Sequence, residues 1–311
     1  MANSAPTRRE ILRGMAMGTA LALAPPVFAA RKKSILLFTK SSGFEHDVIK
    51  IKDGQPSVVE VTVRSLGERY GFDVDATKDG RIFDSQELRS HHAVFFFTTG
   101  DLTQSGTDQQ PPMSPQGKQA LLDAVHDGLG FVGAHAASDT FHTQPDAEDR
   151  HTRYAAYGEN SDPYLRMIGG EFIIHGRDPR LQTANLIVND PKFPGLEGVT
   201  SPVPFNEEWY SMKDFQPDLH VILTLDTNGM KGEPYQRPPY PVTWARRHGR
   251  GLVFYTAMGD LAQNWQIPFF VNVVGGGIRW AIGDASAALD QNLIKVAPGY
   301  STIPPEFPPK K

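Results

Sequence analysis

No cysteine occurs among the 311 residues. That absence excludes a disulfide framework, a thiolate nucleophile, cysteine-ligated zinc and iron–sulfur clusters. A surplus of either charge is also missing: 31 Lys and Arg face 35 Asp and Glu, a formal charge of −4. With no basic stripe either, nothing in the chain attracts nucleic acid, and none is expected as a partner. Long apolar runs are scarce. The stretch from Met15 to Ala24 is short for a hydrocarbon core of about 30 Å, and Pro25-Pro26 ends it. No other segment reads as a membrane span, and no internal repeat is present.

The N-terminus reads as an address. Thr7-Arg8-Arg9-Glu10-Ile11-Leu12-Arg13 precedes the apolar stretch, and Val27 and Ala29 stand at the −3 and −1 positions of a cut after Ala29. An Arg-Arg pair before a modest apolar region has the form of a twin-arginine export signal. The expectation is a signal over residues 1–29, one body over 30–283, and an extended Pro-rich tail over 284–311. An uncleaved anchor helix is the alternative for the first segment. After cleavage the protein is expected in the periplasm or another exported location, without membrane contact. A cysteine-free chain suits such an oxidising compartment.

In the body, short continuous apolar runs alternate with helical patterns. Ile35 to Thr39, Ala93 to Thr99 and Gly130 to Ala134 read as strands buried on both faces. Pro56 opens a helix with Val59, Val63, Leu66 and Tyr70 on one face, ended by Gly71, and Phe72 to Ala76 follows as a strand. Pro115 to Val125 and Ile267 to Ile282 are further helices. The second half is rich in short strands. This order predicts an α/β fold: a doubly wound, flavodoxin-like three-layer α/β/α sheet with extra mixed strands from the second half.

In such sheets, ligands sit beyond the carboxyl ends of the strands. Three of the ten histidines, His46, His135 and His175, fall there, with Asp47, Asp101 and Asp139 close by. Gly130-Phe131-Val132-Gly133-Ala134-His135-Ala136-Ala137 has the pattern of a strand entering a small-residue elbow and then a helix. The side chain raised there is His135, which can act as base, acid or metal ligand, or can simply cap a loop. His142 lies near the elbow with a weaker case. His91, His92, His126, His151, His220 and His248 have no convergent context. In Phe205-Asn206-Glu207-Glu208-Trp209-Tyr210, alternation sends Glu208 and Tyr210 to one face and Glu207 and Trp209 to the other. Carboxylates beside aromatics suit a sugar, whose ring stacks while its hydroxyls donate to the acids. Met258-Gly259-Asp260 follows another strand.

The candidate catalytic residues are therefore His46, His135, His175 and Glu208, and the candidate substrate-binding residues are Asp47, Asp101, Asp139, Trp209, Tyr210 and Asp260. No cofactor is dictated. A divalent metal such as zinc is one option, with His135 and His175 the leading ligands, His46 next, and Glu208 a fourth ligand or the base. No His-x-x-x-His spacing supports it, so the fold would have to assemble the site.

The chain also resembles the trehalose-utilisation ThuA-like family, an offshoot of the class I glutamine amidotransferase-like fold. The resemblance rests on an ordered set. Phe38-Thr39-Lys40 comes with Gly43-Phe44 and His46-Asp47, then Thr98-Thr99-Gly100-Asp101. Gly130 to Gly133 with His135-Ala136 and Asp139 follows, then Gly169-Gly170 with Phe172 and His175. Glu208-Trp209-Tyr210, Val242 to Trp244 and Gly276 to Ala281 complete it. It spans residues 34–283 and implies a flavodoxin-like fold and a role in carbohydrate use, on disaccharides or their 3-keto derivatives. Where amidotransferase relatives place a cysteine at the elbow, this chain has His135, which excludes glutamine hydrolysis through a thiolate. Where many members have Gly-His, it has Gly259-Asp260. Three functions compete: an exported sugar-modifying enzyme, a non-catalytic sugar-binding protein, and a metal-dependent hydrolase of another substrate. The oligomeric state is not legible.

Overall fold

The computed structural model describes residue 1 and residues 32–144 and 151–306. The signal expected at residues 1–29, Met1 apart, and the last residues of the tail lie outside the described residues. The chain from Lys32 onward forms one unit. In order it contains β1 (Lys33–Phe38), α1 (Val58–Tyr70), β2 (Phe72–Thr77), β3 (Ala93–Phe96), α2 (Pro115–His126), β4 (Gly130–Ala134) and the single turn α3 (His151–Tyr154). Then come α4 (Pro163–Ile168), β5 (Glu171–His175), β6 (Gln182–Val188), β7 (Val203–Glu207), β8 (Tyr210–Lys213) and β9 (His220–Asp226). β10 (Tyr240–His248), β11 (Gly251–Thr256), α5 (Pro268–Ala281) and α6 (Leu293–Val296) complete the chain.

The helices form where local chemistry favours them. Ser57 caps α1 by accepting from the Glu60 amide, and Gly71 ends it in the left-handed region at φ 82°. Ser114 caps α2, with Pro115 in its first turn. The buried face of α1 holds Val59, Val63 and Leu66, three of the four residues its periodicity picked out.

Nine strands form one sheet in the order β2-β1-β3-β4-β11-β10-β9-β6-β7. The first five are mutually parallel, with β11 completing the flavodoxin-like 2-1-3-4-5 order beside β4. From β11 onward each neighbour is antiparallel, which makes the mixed extension expected from the second half. β5 and β8 pair separately. α1 and α5 pack on each other and on the parallel strands, while α2 and α4 form a second layer against β11. α5 sits close to the sheet because Gly277 faces it: a Cβ there would lie 2.5 Å from the Phe254 ring. β1, β3 and β4 are almost wholly buried, as their continuous apolar runs require. Among the described residues no helix is long and apolar enough to cross a membrane.

Two local expectations differ from the structure. The segment after β4 is a 3-10 turn over His135–Asp139, not a longer helix. Side chains capture its carbonyls: Ser138 and Tyr255 hydroxyls donate to His135 O, and Thr140 Oγ1 donates to Ala136 O. The turn therefore cannot propagate as a helix. β3 ends at Phe96 rather than Thr99. Thr99 instead accepts from the Ser42 and Gly43 amides and donates its hydroxyl to Phe44 O, which pins the loop that carries His46. The tail docks on β9, where the Asn292 side chain both accepts from and donates to the Val221 backbone.

Candidate active site

Segments that follow β1, β4 and β11, together with β5 and the β7–β8 connection, surround one cavity of about 510 Å³. His46, Asp139, His175, Glu208, Tyr210 and Asp260 line it, and Phe44 stands at its mouth. The size falls within the range of small-molecule sites.

His135 is buried directly behind this lining, against Tyr210, His46 and Glu208. Its φ is 45°, a left-handed conformation that non-glycine residues adopt at a cost of roughly 1–3 kcal/mol. The flanking Ala134, Ala136 and Ala137 are fully buried, so no bulkier neighbours would fit this elbow. The ring lies 4.0 Å from that of Tyr210 and 5.0 Å from that of His46, centroid to centroid. Nδ1–H donates to the Ala257 carbonyl at 2.9 Å, which only accepts, and this sets the tautomer. Nε2 is buried without a hydrogen-bond partner, 3.6 Å from Glu208 Oε2. Burial disfavours the His135 imidazolium, but the Glu208, Glu207 and Asp260 carboxylates outweigh it and raise the pKa above the usual histidine value.

His46 is buried beside it. Its ring packs edge-on against Phe44 and Phe97, Nε2 lies 3.4 Å from the Tyr210 hydroxyl, and Nδ1 has no partner. Burial, reinforced by the nearby charge of His135, lowers its pKa to about 3, so it is neutral at physiological pH. The Tyr210 hydroxyl stays protonated, its pKa raised by burial and by surrounding carboxylates.

Glu208 is held ionised. Burial opposes this, but His135, His175 and Arg180 prevail and hold its pKa at about 2. Arg180 NH1 donates to Glu208 Oε1 at 2.6 Å and to Asp260 Oδ2 at 2.9 Å. The preceding Glu207 is a fastener: its carboxylate accepts from the Gly259 amide and from Asn264, and thereby ties the β7 end to the turn that presents Asp260. Gly259 has φ 134°, open only to glycine without strain. His175 donates Nδ1–H to Gly176 O at 2.8 Å and keeps one-third of its side chain exposed.

Behind this layer lies a buried ionic chain. His142 bonds Asp139 at 2.5 Å through Nε2 and Glu171 at 2.9 Å through Nδ1. Burial disfavours its charge, yet the two carboxylates raise its pKa to about 9. Lys213 stands 3.7 Å from Glu171.

One donor atom each from His46, His135, Glu208 and Asp260 lies within 4.8 Å of all the others, a geometry able to hold a metal ion. This set contains His46 and Asp260 rather than His175, which was paired with His135 from the sequence. His175 stands beside it, its Nδ1 3.5 Å from Glu208 Oε1.

Two of the expected substrate-binding residues, Trp209 and Asp101, lie away from the cavity lining. Trp209 is fully buried on the core side, with Nε1 donating to Gln182 O, and does not line the cavity. The alternation that placed it opposite Glu208 holds; the face it occupies is the interior. Asp101 folds back to accept from the Thr103 amide and hydroxyl and lines a separate depression with Lys118 and Phe141. Asp47 is at the cavity rim, largely exposed and paired with Lys50. Sequence reasoning missed Arg180, Glu171 and the fastening role of Glu207, and gave His142 too little weight. Their roles depend on partners far along the chain, and no local spacing signals them.

The family model ThuA, described as trehalose utilisation, matches residues 34–281. No curated protein matches. Among solved structures, a ThuA-like protein from Bacteroides uniformis ATCC 8492 is similar at TM-score 0.57 and 16% identity, covering 83% of this chain and 95% of that one. A ThuA-like protein from Parabacteroides merdae ATCC 43184 is similar at TM-score 0.52 and 16% identity, covering 88% and 97%. At such identity the likeness concerns the fold.

Proposed function

We propose, from the premise that the chain belongs to the ThuA trehalose-utilisation family, that it is an exported carbohydrate-processing enzyme acting on a disaccharide or a 3-keto derivative of one. Membership supports the carbohydrate class; the chemistry is argued from the site. The observation that carries it is His135, held in a strained conformation at the end of a central strand, with its unpartnered Nε2 facing the ionised Glu208.

A positive charge held between His135 and Glu208 would polarise the substrate carbonyl. His175 is the base: its Nδ1–H is committed to Gly176 O, which leaves Nε2 to receive a proton, and it is open to solvent. His175 takes the proton from the carbon beside the keto group. The C–H electron pair moves onto the carbonyl oxygen as an enolate, which the positive charge stabilises. Collapse of the enolate restores the carbonyl and breaks the C–O bond at the next carbon, and the departing oxygen takes up the proton that His175 received, which returns His175 to its base form. Asp139, Asp260 and Arg180 are placed to engage sugar hydroxyls at the wall. No step uses a thiol.

The test is incubation of the purified chain with a 3-keto-disaccharide and its parent disaccharide, followed by NMR. Release of the second sugar with loss of the proton beside the ketone is expected. Binding of either sugar without turnover would replace this reading by that of a binding protein.

A further inference from the structure

We propose that the positive charge between His135 and Glu208 is a divalent transition-metal ion of zinc's class, held by His46, His135, Glu208 and Asp260. The donors come from four separate places in the sequence, yet one atom of each falls within a 4.8 Å group. Among the described residues this is a mixed site of two imidazoles and two carboxylates, a set suited to zinc and its borderline neighbours and poorly suited to the all-oxygen preference of magnesium or calcium.

The second observation is independent of that grouping. His46 Nδ1 and His135 Nε2 are both buried and both without a hydrogen-bond partner. A buried polar atom left unpaired costs about 1–3 kcal/mol, and structures rarely leave two so close together. For His135 the reason is constrained further. Its Nδ1–H is committed to Ala257 O, so Nε2 is the ring atom left to face the Glu208 carboxylate. The two atoms stand 3.6 Å apart out of water, too far for a direct hydrogen bond, and a cation bound to both would fill that gap. The His–carbonyl bond is also the usual support behind a metal-binding imidazole, because it fixes the ring and its tautomer.

Arg180 completes the arrangement from outside. It grips Glu208 Oε1 and Asp260 Oδ2 with about half its side chain exposed, while Glu208 Oε2 faces His135. It orients both carboxylates and is a positioning residue for the ion. The inference rests on the site described above but not on its substrate: the ion would be held whichever sugar is bound.

The experiment uses the full, untagged chain. After treatment with EDTA it is titrated calorimetrically with zinc, and separately with cobalt(II) followed by visible absorption; magnesium serves as a control. One equivalent of zinc, a cobalt band of tetrahedral or five-coordinate intensity, and no magnesium binding are expected. His46→Asn and Asp260→Asn should each weaken zinc at least tenfold, with folding checked by circular dichroism. His175→Asn, outside the donor set, should leave zinc affinity within about threefold. Absence of stoichiometric zinc or cobalt binding overturns the site, as does equal weakening by His175→Asn and His46→Asn. Sugar turnover by metal-free protein would overturn the ion's role and leave the proposed function standing. A tightly held ion without sugar turnover would do the reverse.

Discussion

Glu208 Oε2 stands 3.6 Å from His135 Nε2, and both side chains are buried. The pair joins the tip of the elbow to the β7–β8 connection, two pieces of chain that meet only in the folded protein. If the proposed chemistry is right, His135→Gln should lower kcat by about 10²–10⁴-fold, the usual contribution of a positioned acid–base or metal-binding group. Sugar affinity should change far less, because most of the cavity wall is untouched. Steady-state kinetics beside equilibrium binding make the comparison. A parallel loss of both would assign His135 to binding alone.

The Asp139–His142–Glu171 chain makes stability depend on pH. His142 has a folded pKa of about 9 against an ordinary 6.5. A raised pKa means that its stabilising charge is complete below about pH 6.5 and is lost as pH rises through 9. The shift corresponds to at most about 3 kcal/mol. His142→Gln should therefore lower Tm markedly at pH 6 and little at pH 10. Parallel Tm curves for the two proteins across that range would show that His142 is not charged in the native state.

Trp209 and Phe44 have opposite parts, one in the core and one at the cavity mouth. Trp209 is fully buried, and Trp209→Ala should cost about 3–5 kcal/mol in urea unfolding. Phe44 is 69% exposed at the cavity mouth. Phe44→Ala should leave the urea midpoint unchanged but raise KM for the sugar about three- to tenfold through loss of a stacking face. Phe44→Trp should restore it. An unchanged KM in Phe44→Ala would remove this residue from substrate contact.

Export is tested at the N-terminus. Changing Arg8-Arg9 to Lys-Lys should strand the protein in the cytoplasm, and protein recovered from the periplasm should begin near Ala30. Export that persists in a host lacking twin-arginine transport would reject the assignment.

The sequence alone determined the sheet's parallel half. Continuous apolar runs such as Ile35 to Phe38 and Val94 to Phe96 require burial on both faces, and that requirement is local to each strand. It also marked His135, because a strand running into small residues restricts what can follow. Only the tertiary structure decided which residues share the site. Trp209 and Tyr210 are neighbours in the chain, yet pleating sends one to the core and the other to the cavity, and only the packing of the second sheet layer says which. Asp101 resembles a strand-end ligand until Thr103 captures its carboxylate. Arg180 gains meaning only where it meets Glu208 and Asp260, 28 and 80 residues away. Burial patterning is written into short windows of sequence, whereas electrostatic partnership depends on distances that exist only once the strands are in register.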